Sequence, residues 1–455
     1  MKKKNFIYIA ALSVLTSFAF VGCDDDDDPV VNIPAGTVTE LSFTDENPEP
    51  VKVSGKLTWK APASMDGITK FVIYGSADGK SKDVKIAEVD ASVTSYDIKD
   101  LVNLGYISVY AANKDGESAT CASIKVTDLA EKGFLRLYFL NSGKFGNNNS
   151  SLYMYDVDKD EVVENYFEAQ NGRKLGDSAQ DMIVYGNKMY IAVYGESTIE
   201  VTDLEAKSIK QIKTEGQPRA LVSDGGKVYA SYYNGNLARL DTASLEVEAT
   251  IKIGRNPEQI AIANNKLYVA NSGGMDYNTP VGYDKTVSVV DIPSFKETKK
   301  IDVVLNPTCV QADEQGNVYV VSMGNYADVP NTLQVIDSKT DEAKVLETCP
   351  HATEMSYTDG VLYTYYSQYD ANWNTTITYT AYNTTTGKAE EWKKDTEIKK
   401  PYKLCTAGGN VYISESDYTN NGDFYGFDTA GKLIKKFGVG LNPMKVVLAQ
   451  KNGSI

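Results

Sequence analysis

Residues 256–303 read NPEQIAIANNKLYVANSGGMDYNTPVGYDKTVSVVDIPSFKETKKIDV. Within this stretch, 259–263, 266–271, 286–292 and 297–303 are short runs rich in β-branched or aromatic residues and bounded by turn-formers, so each predicts a strand. The first two are joined by Asn264-Asn265, a tight hairpin signal, because Asn tolerates positive φ at low cost. The second and third are separated by a long loop of Gly, Asn, Asp and Tyr. One unit of this kind cannot bury its own faces, so it must stack against copies of itself.

Copies run through most of the chain. The second-strand tyrosine returns as Tyr138, Tyr190, Tyr229, Tyr268, Tyr319, Tyr363 and Tyr412, and the third strand ends near Asp156, Asp203, Asp241, Asp291, Asp337, Asn383 and Asp428. A proline opens the first strand at Pro218, Pro257, Pro307, Pro350, Pro401 and Pro443, and short turns such as Gly225-Gly226 and Gly408-Gly409 precede the tyrosine. A period of roughly 40 to 50 residues is that of four-stranded propeller blades. Seven tyrosines therefore predict an all-β chain with a seven-bladed β-propeller over residues 133–450. The first unit has no proline strand ahead of its tyrosine strand at 135–140, and an orphan proline strand, 443–450, lies at the far end. Pairing the two closes the ring and removes an exposed sheet edge.

In a four-stranded meander the loops between strands two and three share one end with the links from blade to blade. The long aromatic loops therefore converge on one rim, and the residues just after each proline (Arg219, Glu258, Thr308, His351, Tyr402 and Met444) ring the channel mouth. Loops on a rigid scaffold carry function, and exposed aromatics give contact area at low entropic cost. Candidate ligand contacts are Phe145, Tyr194, Arg219, Tyr233, Tyr277, Tyr326, His351, Tyr369, Trp373, Tyr402 and Tyr418; the bland alternative is a rim that merely reflects a composition with 31 tyrosines.

Upstream, residues 1–22 carry Lys2, Lys3 and Lys4 and then an apolar run, too short and wrongly flanked for a stable membrane anchor, which predicts an export signal. Residues 23–36, with the acidic run from Asp24 to Asp28 and then Pro29 and Pro34, read as a solvated tether. Residues 37–129 lack the propeller period but alternate strands and turns, which predicts a small β-sandwich. The run from Asn113 to Glu117 has too few carboxylates for a calcium loop and reads as a solvated turn.

Removing residues 1–22, with three lysines and no acid, moves the formal charge from −15 to −18. That balance argues against nucleic-acid binding and against a polybasic membrane contact. Cys121, Cys309, Cys349 and Cys405 show no CxxC pairing and read as free thiols, and neither metal-ligand spacing nor a cofactor motif is present. With His351 as the single histidine, a Ser-His-Asp triad and a multi-histidine metal site are both nearly excluded. No catalytic residue is expected; binding is the expected class.

Several segments resemble known families. Val21-Gly22-Cys23 resembles a bacterial lipobox with Cys23 as the acylated residue, and the aspartates after it resemble the signal that sends lipoproteins of Bacteroidetes-type bacteria to the outer face of the outer membrane. Lys56-Leu-Thr-Trp59-Lys-Ala-Pro62 and Gly105-Tyr106-Ile-Ser-Val-Tyr110-Ala-Ala-Asn113 resemble the fibronectin type III family, and the resemblance implies that Trp59 and Tyr106 are core residues. Residues 134–450 resemble the YncE-like seven-bladed propeller lipoproteins, on Leu140-Asn141-Ser-Gly143-Lys-Phe145-Gly146, Leu175-Gly176-Asp177-Ser-Ala-Gln-Asp181-Met182 and Asn256-Pro257-Glu258-Gln259. That group includes the BtuG family. The resemblance implies a surface lipoprotein that captures a corrinoid such as cobalamin and passes it to a TonB-dependent transporter. The fibronectin-like segment is extra relative to the simple BtuG pattern. The alternative is an adhesion or interaction module that binds a glycan or a protein.

Overall fold

A computed structural model describes residues 32–47, 52–102, 104–128, 133–369 and 375–451. Residues 1–31, with the export segment, Cys23 and the acidic run, lie outside the described residues. The chain divides into two compact units, residues 1–131 and 132–455.

The first unit is a β-sandwich of seven strands. Thr39–Ser42, Lys52–Lys60 and Ser95–Val102 form one antiparallel sheet, and Val84–Asp90, Lys70–Ser76, Tyr106–Ala112 and Glu117–Lys125, in that spatial order, form the other. Leu57, Trp59, Phe71, Ile73, Ile107 and Val109 meet between the sheets. The Trp59 ring meets the Phe71 ring edge-on at 5.9 Å. Tyr106 is only half-buried, because it opens its strand at the end of the sandwich. The Asn113 side chain accepts the N–H groups of Asp115 and Gly116 at 2.8 and 3.1 Å, so this run is a closed Asx turn.

The second unit is a β-propeller of seven four-stranded antiparallel sheets. Its inner strands are Pro443–Lys451 (blade 1), Ala179–Tyr185, Pro218–Asp224, Pro257–Ala263, Pro307–Ala312, Glu354–Thr358 and Pro401–Ala407 (blade 7), each packed against the next and the last against the first. Blade 1 takes its inner strand from the C-terminus: Pro443–Lys451 pairs antiparallel with Phe134–Asn141, and Ser151–Asp156 and Glu161–Val163 complete it. Of the residues that close the ring, Val446 and Ala449 are fully buried, whereas Val447 and Leu448 are half-buried.

Each repeating residue has a physical task. The tyrosine rings fill the seams between blades, and three of their hydroxyls reach the outer turn of the following blade. Tyr138 donates to the Leu204 carbonyl at 2.8 Å, Tyr268 to Asp341 Oδ1 at 2.7 Å, and Tyr363 to the Thr429 carbonyl at 3.4 Å. The acid or amide ending the third strand closes the next turn by accepting backbone N–H groups, as Asp241 does from Ser244 at 2.7 Å and Asn383 from Thr386 at 2.8 Å. Asn264 and Asn265 have φ of 48° and 58°, the left-handed pair a two-residue hairpin of the right twist requires. One expectation fails: blade 6 begins its inner strand at Glu354, and Pro350 stays in the connection, where its carbonyl accepts the Leu333 N–H at 2.8 Å. The link from blade 1 to blade 2 also carries a short helix, Tyr166–Asn171, absent from the repeat pattern, which buries Tyr166 and Phe167.

Candidate functional site

The inner strands line a central channel, and a throat of mostly polar side chains lies just below the long-loop rim. A cavity of about 210 Å³ at the throat and a larger one of about 590 Å³ toward the short turns share Asp181, Ala220, Gln259, Gln311 and Lys445 in their walls. The throat carries a belt of polar contacts that crosses every seam between blades. Lys445 pairs with Asp181 at 3.3 Å, Arg219 Nε with Glu258 at 2.6 Å, and Lys403 with Glu354. Arg219 also donates to Gln180, the Val310 N–H to Gln259 at 3.3 Å, Cys309 Sγ to Glu354 at 3.3 Å, and Cys405 Sγ to the Met444 carbonyl at 3.6 Å.

These pairs fix the ionisation of the cations. Burial pulls the Arg219 and Lys403 pKa values down, but Glu258 and Glu354 beside them more than offset it, and both lie above their ordinary values. Asp181 raises Lys445 against the same burial. Burial, and then the Glu354 carboxylate, push the Cys309 thiol well above its ordinary range, so it serves as a donor. All three cations are charged at neutral pH and each faces a carboxylate.

Above the throat the aromatic side chains form arcs. Phe145, Tyr194 and Tyr233 run from blade 1 to blade 3, with ring centroids 6.3 and 5.9 Å apart, and the Arg219 guanidinium lies 5.9 and 5.2 Å from the Tyr194 and Tyr233 rings. Tyr277 stacks on Tyr283 at 6.3 Å, and Tyr283 meets Tyr326 edge-on at 6.3 Å across blades 4 and 5. His351 stacks on Tyr366 at 5.1 Å in blade 6, and Tyr402 meets Tyr418 at 5.4 Å in blade 7. Phe145, Tyr277, Tyr326 and Tyr418 are 70, 58, 69 and 65% exposed, so large apolar area faces solvent on the long-loop face of the propeller. Tyr326 and Tyr418 hold φ of 58° and 63°, a left-handed backbone that is costly for bulky residues. The blade 4 loop is clamped at its base by Arg255, which bonds Asp276, Asp284 and the Gly282 carbonyl.

Among the sequence candidates, Arg219 and Tyr326 line the throat cavity, as do Glu258, Thr308 and Met444. His351 and Tyr402 do not; because Pro350 lies outside the strand, His351 is displaced onto the rim, where its Nδ1 bonds the Asn331 carbonyl at 2.7 Å. Trp373 and the side chain of Tyr369 lie outside the described residues. Sequence reasoning missed the belt residues Gln180, Asp181, Glu354, Lys403 and Lys445, and the linking rings Tyr283 and Tyr366. Cys309, Cys349 and Cys405 are buried free thiols, and Cys121 is a half-buried one. Among the described residues, no group of three or more His, Cys, Asp or Glu side chains is placed to hold a metal ion.

Fold and rim together define a β-propeller with an aromatic loop face over a charge-paired throat. The chain belongs to the family described as Domain of unknown function (DUF5074), which it matches over residues 133–391, more than half its length. Comparison with curated proteins finds no match. Among solved structures the chain is similar to Kuenenia stuttgartiensis hydrazine synthase, at 15% identity and a TM-score of 0.50, over 60% of this chain and 92% of that one. It also resembles a chain of a nidogen/laminin complex (14% identity, TM-score 0.41, 70% and 99% covered) and the computationally designed Ika8 protein (12%, 0.43, 90% and 98%). At 15% identity the first likeness is one of fold alone.

Proposed function

We propose that the propeller is a ligand-capture module of a lipid-anchored protein on the outer face of the outer membrane, and that its long-loop rim holds a corrinoid for transfer to a TonB-dependent transporter. The observation that carries this reading is the set of exposed aromatic arcs standing over a throat whose charges are already paired. Such a face offers flat apolar area and hydrogen bonds but no surplus charge, which suits a large, flat, polar and uncharged ligand better than an ion. Strained tyrosines at the rim support it, since backbone strain concentrates where a side chain must be presented. The resemblance of the motifs around Asn141–Gly146, Gly176–Met182 and Pro257–Gln259 to the YncE-like and BtuG groups supports this reading. The seven-stranded sandwich supports a fibronectin type III-like spacer. Lipidation at Cys23 would tether the mature chain.

A second reading has its own observation. Met275, Tyr277 and Val281 project from the loop clamped by Arg255, with exposures of 66, 58 and 68%, which suits an adhesion or interaction module gripping a glycan or a protein. Calorimetry of the purified mature ectodomain against cyanocobalamin, haem and a panel of polysaccharides separates the two. Saturable one-to-one heat with the corrinoid is expected; heat from polysaccharide alone overturns the capture reading. Protease treatment of intact cells should release the ectodomain, and survival until lysis would refute the surface location.

A further inference from the structure

Resting on the capture reading, we propose that the throat is the specificity-determining part of the same site: a socket for one uncharged, carboxamide-bearing arm of the rim-bound ligand, closed to arms that end in a carboxylate. In blade order the belt runs Lys445, Asp181, Arg219, Glu258, then uncharged Thr308 and Cys309, then Glu354 and Lys403. Three cations and three carboxylates face one another in pairs, and their charges cancel. A carboxamide presents one acceptor oxygen and two N–H donors, so it addresses a cation and a carboxylate at once without separating any pair. A carboxylate only accepts. Entering this ring it would share a cation with an acid already bonded to it, and it would shed its hydration for no new net charge partner.

Size and placement agree. A volume of about 210 Å³ admits a short arm of a few heavy atoms and excludes a macrocycle. Met323 and Tyr326 belong to the blade 5 rim loop and also line this cavity, and Arg219 spans the Tyr194 and Tyr233 rings and Glu258. A flat body resting on the rings therefore stands over the socket. Three amides, Gln180, Gln259 and Gln311, complete the wall and match the chemistry of such an arm.

The test compares two corrins, one with all side chains as primary amides and one with them as free carboxylates, titrated by calorimetry into the wild-type ectodomain and into Glu258→Gln, Glu354→Gln and Lys403→Gln. The wild type should hold the amide form about tenfold or more tightly than the acid form. The two Glu→Gln variants, each adding a net positive charge, should narrow that ratio, and Lys403→Gln should widen it. The ratio is measured on a single protein sample, so a misfolded fraction leaves it unchanged. A wild-type ratio near one, or a ratio moved the same way by Glu→Gln and Lys→Gln, overturns the socket while leaving the rim reading intact. Failure of both corrins to bind the wild type overturns the rim reading and the socket with it.

Discussion

Replacing Tyr268 with Phe removes one oxygen from the seam between blades 4 and 5. Its hydroxyl, on a fully buried ring, donates to Asp341 Oδ1 at 2.7 Å and approaches the Ser338 carbonyl at 3.3 Å. A hydrogen bond to a charged group contributes about 1.5–3 kcal/mol. Asp341 keeps Lys266 at 3.0 Å after the substitution, so its carboxylate is not orphaned and the lower half of that range, about 1.5–2 kcal/mol, is expected. Tyr190 occupies the same place in blade 2, also buried, but its hydroxyl has no partner among the described residues. Tyr190→Phe should therefore change stability by less than about 0.5 kcal/mol and is free to be stabilising. Urea unfolding followed by circular dichroism reads both differences from the midpoints at constant m-value. Equal losses from the two variants, or a larger one from Tyr190→Phe, would refute the claim that tyrosine hydroxyls staple one blade to the next.

Two further outcomes follow from the same framework. Burial raises the pKa of all seven repeat tyrosines above 10.0, Tyr190 to about 12, and Lys403 and Lys445 are raised as well. A raised folded-state value means full stability below the unfolded pKa and progressive loss as pH rises through the folded one. The buried Cys309, Cys349 and Cys405 thiols are raised as well. Thermal stability should therefore begin to fall above about pH 8.5, against the opposite pull of Lys394, which burial lowers to about 8, and fall steeply above about pH 10.5. The share of the tyrosinate absorbance that belongs to the seven buried repeat rings should then rise in one cooperative step with the loss of circular dichroism; smooth titration of every tyrosine near pH 10 would contradict it. Val446→Ala should cost about 1–3 kcal/mol because the side chain is fully buried at the closure, and deleting residues 443–455 should abolish cooperative unfolding. A truncated chain with the wild-type melting temperature would rule out the closure.

The blade count and closure were legible because the repeating residues do local work that leaves a fixed spacing. A tyrosine must reach the neighbouring blade, an acid must close the next turn, and Asn or Gly must supply positive φ. The throat was less legible because its residues are read across seven strands rather than along one. Aligning each inner strand on the partner of its tyrosine (Ile183, Val222, Ala261, Gln311, Ser356, Cys405 and Val447) recovers it. Three positions earlier lie Gln180, Arg219, Glu258, Thr308, Thr353, Tyr402 and Met444; two positions earlier lie Asp181, Glu354, Lys403 and Lys445. Counting from the prolines instead gave most of the first row, missed the second, and was misled in blade 6, where Pro350 sits in the connection. Tyr106 was misjudged because a motif fixes strand register, not distance from the sandwich end.

The central claim, that a corrinoid is held on the aromatic rim, is tested most directly by titrating cyanocobalamin into four forms of the ectodomain: wild type, Tyr194→Ala with Tyr233→Ala, and the opposite-face turn variants Asn187→Ala and Asn317→Ala. The account predicts that the double rim variant loses about 2 kcal/mol or more, on the order of 30-fold in Kd, while both turn variants keep the wild-type affinity. Undiminished affinity in the rim variant, or its loss in a turn variant, would contradict it.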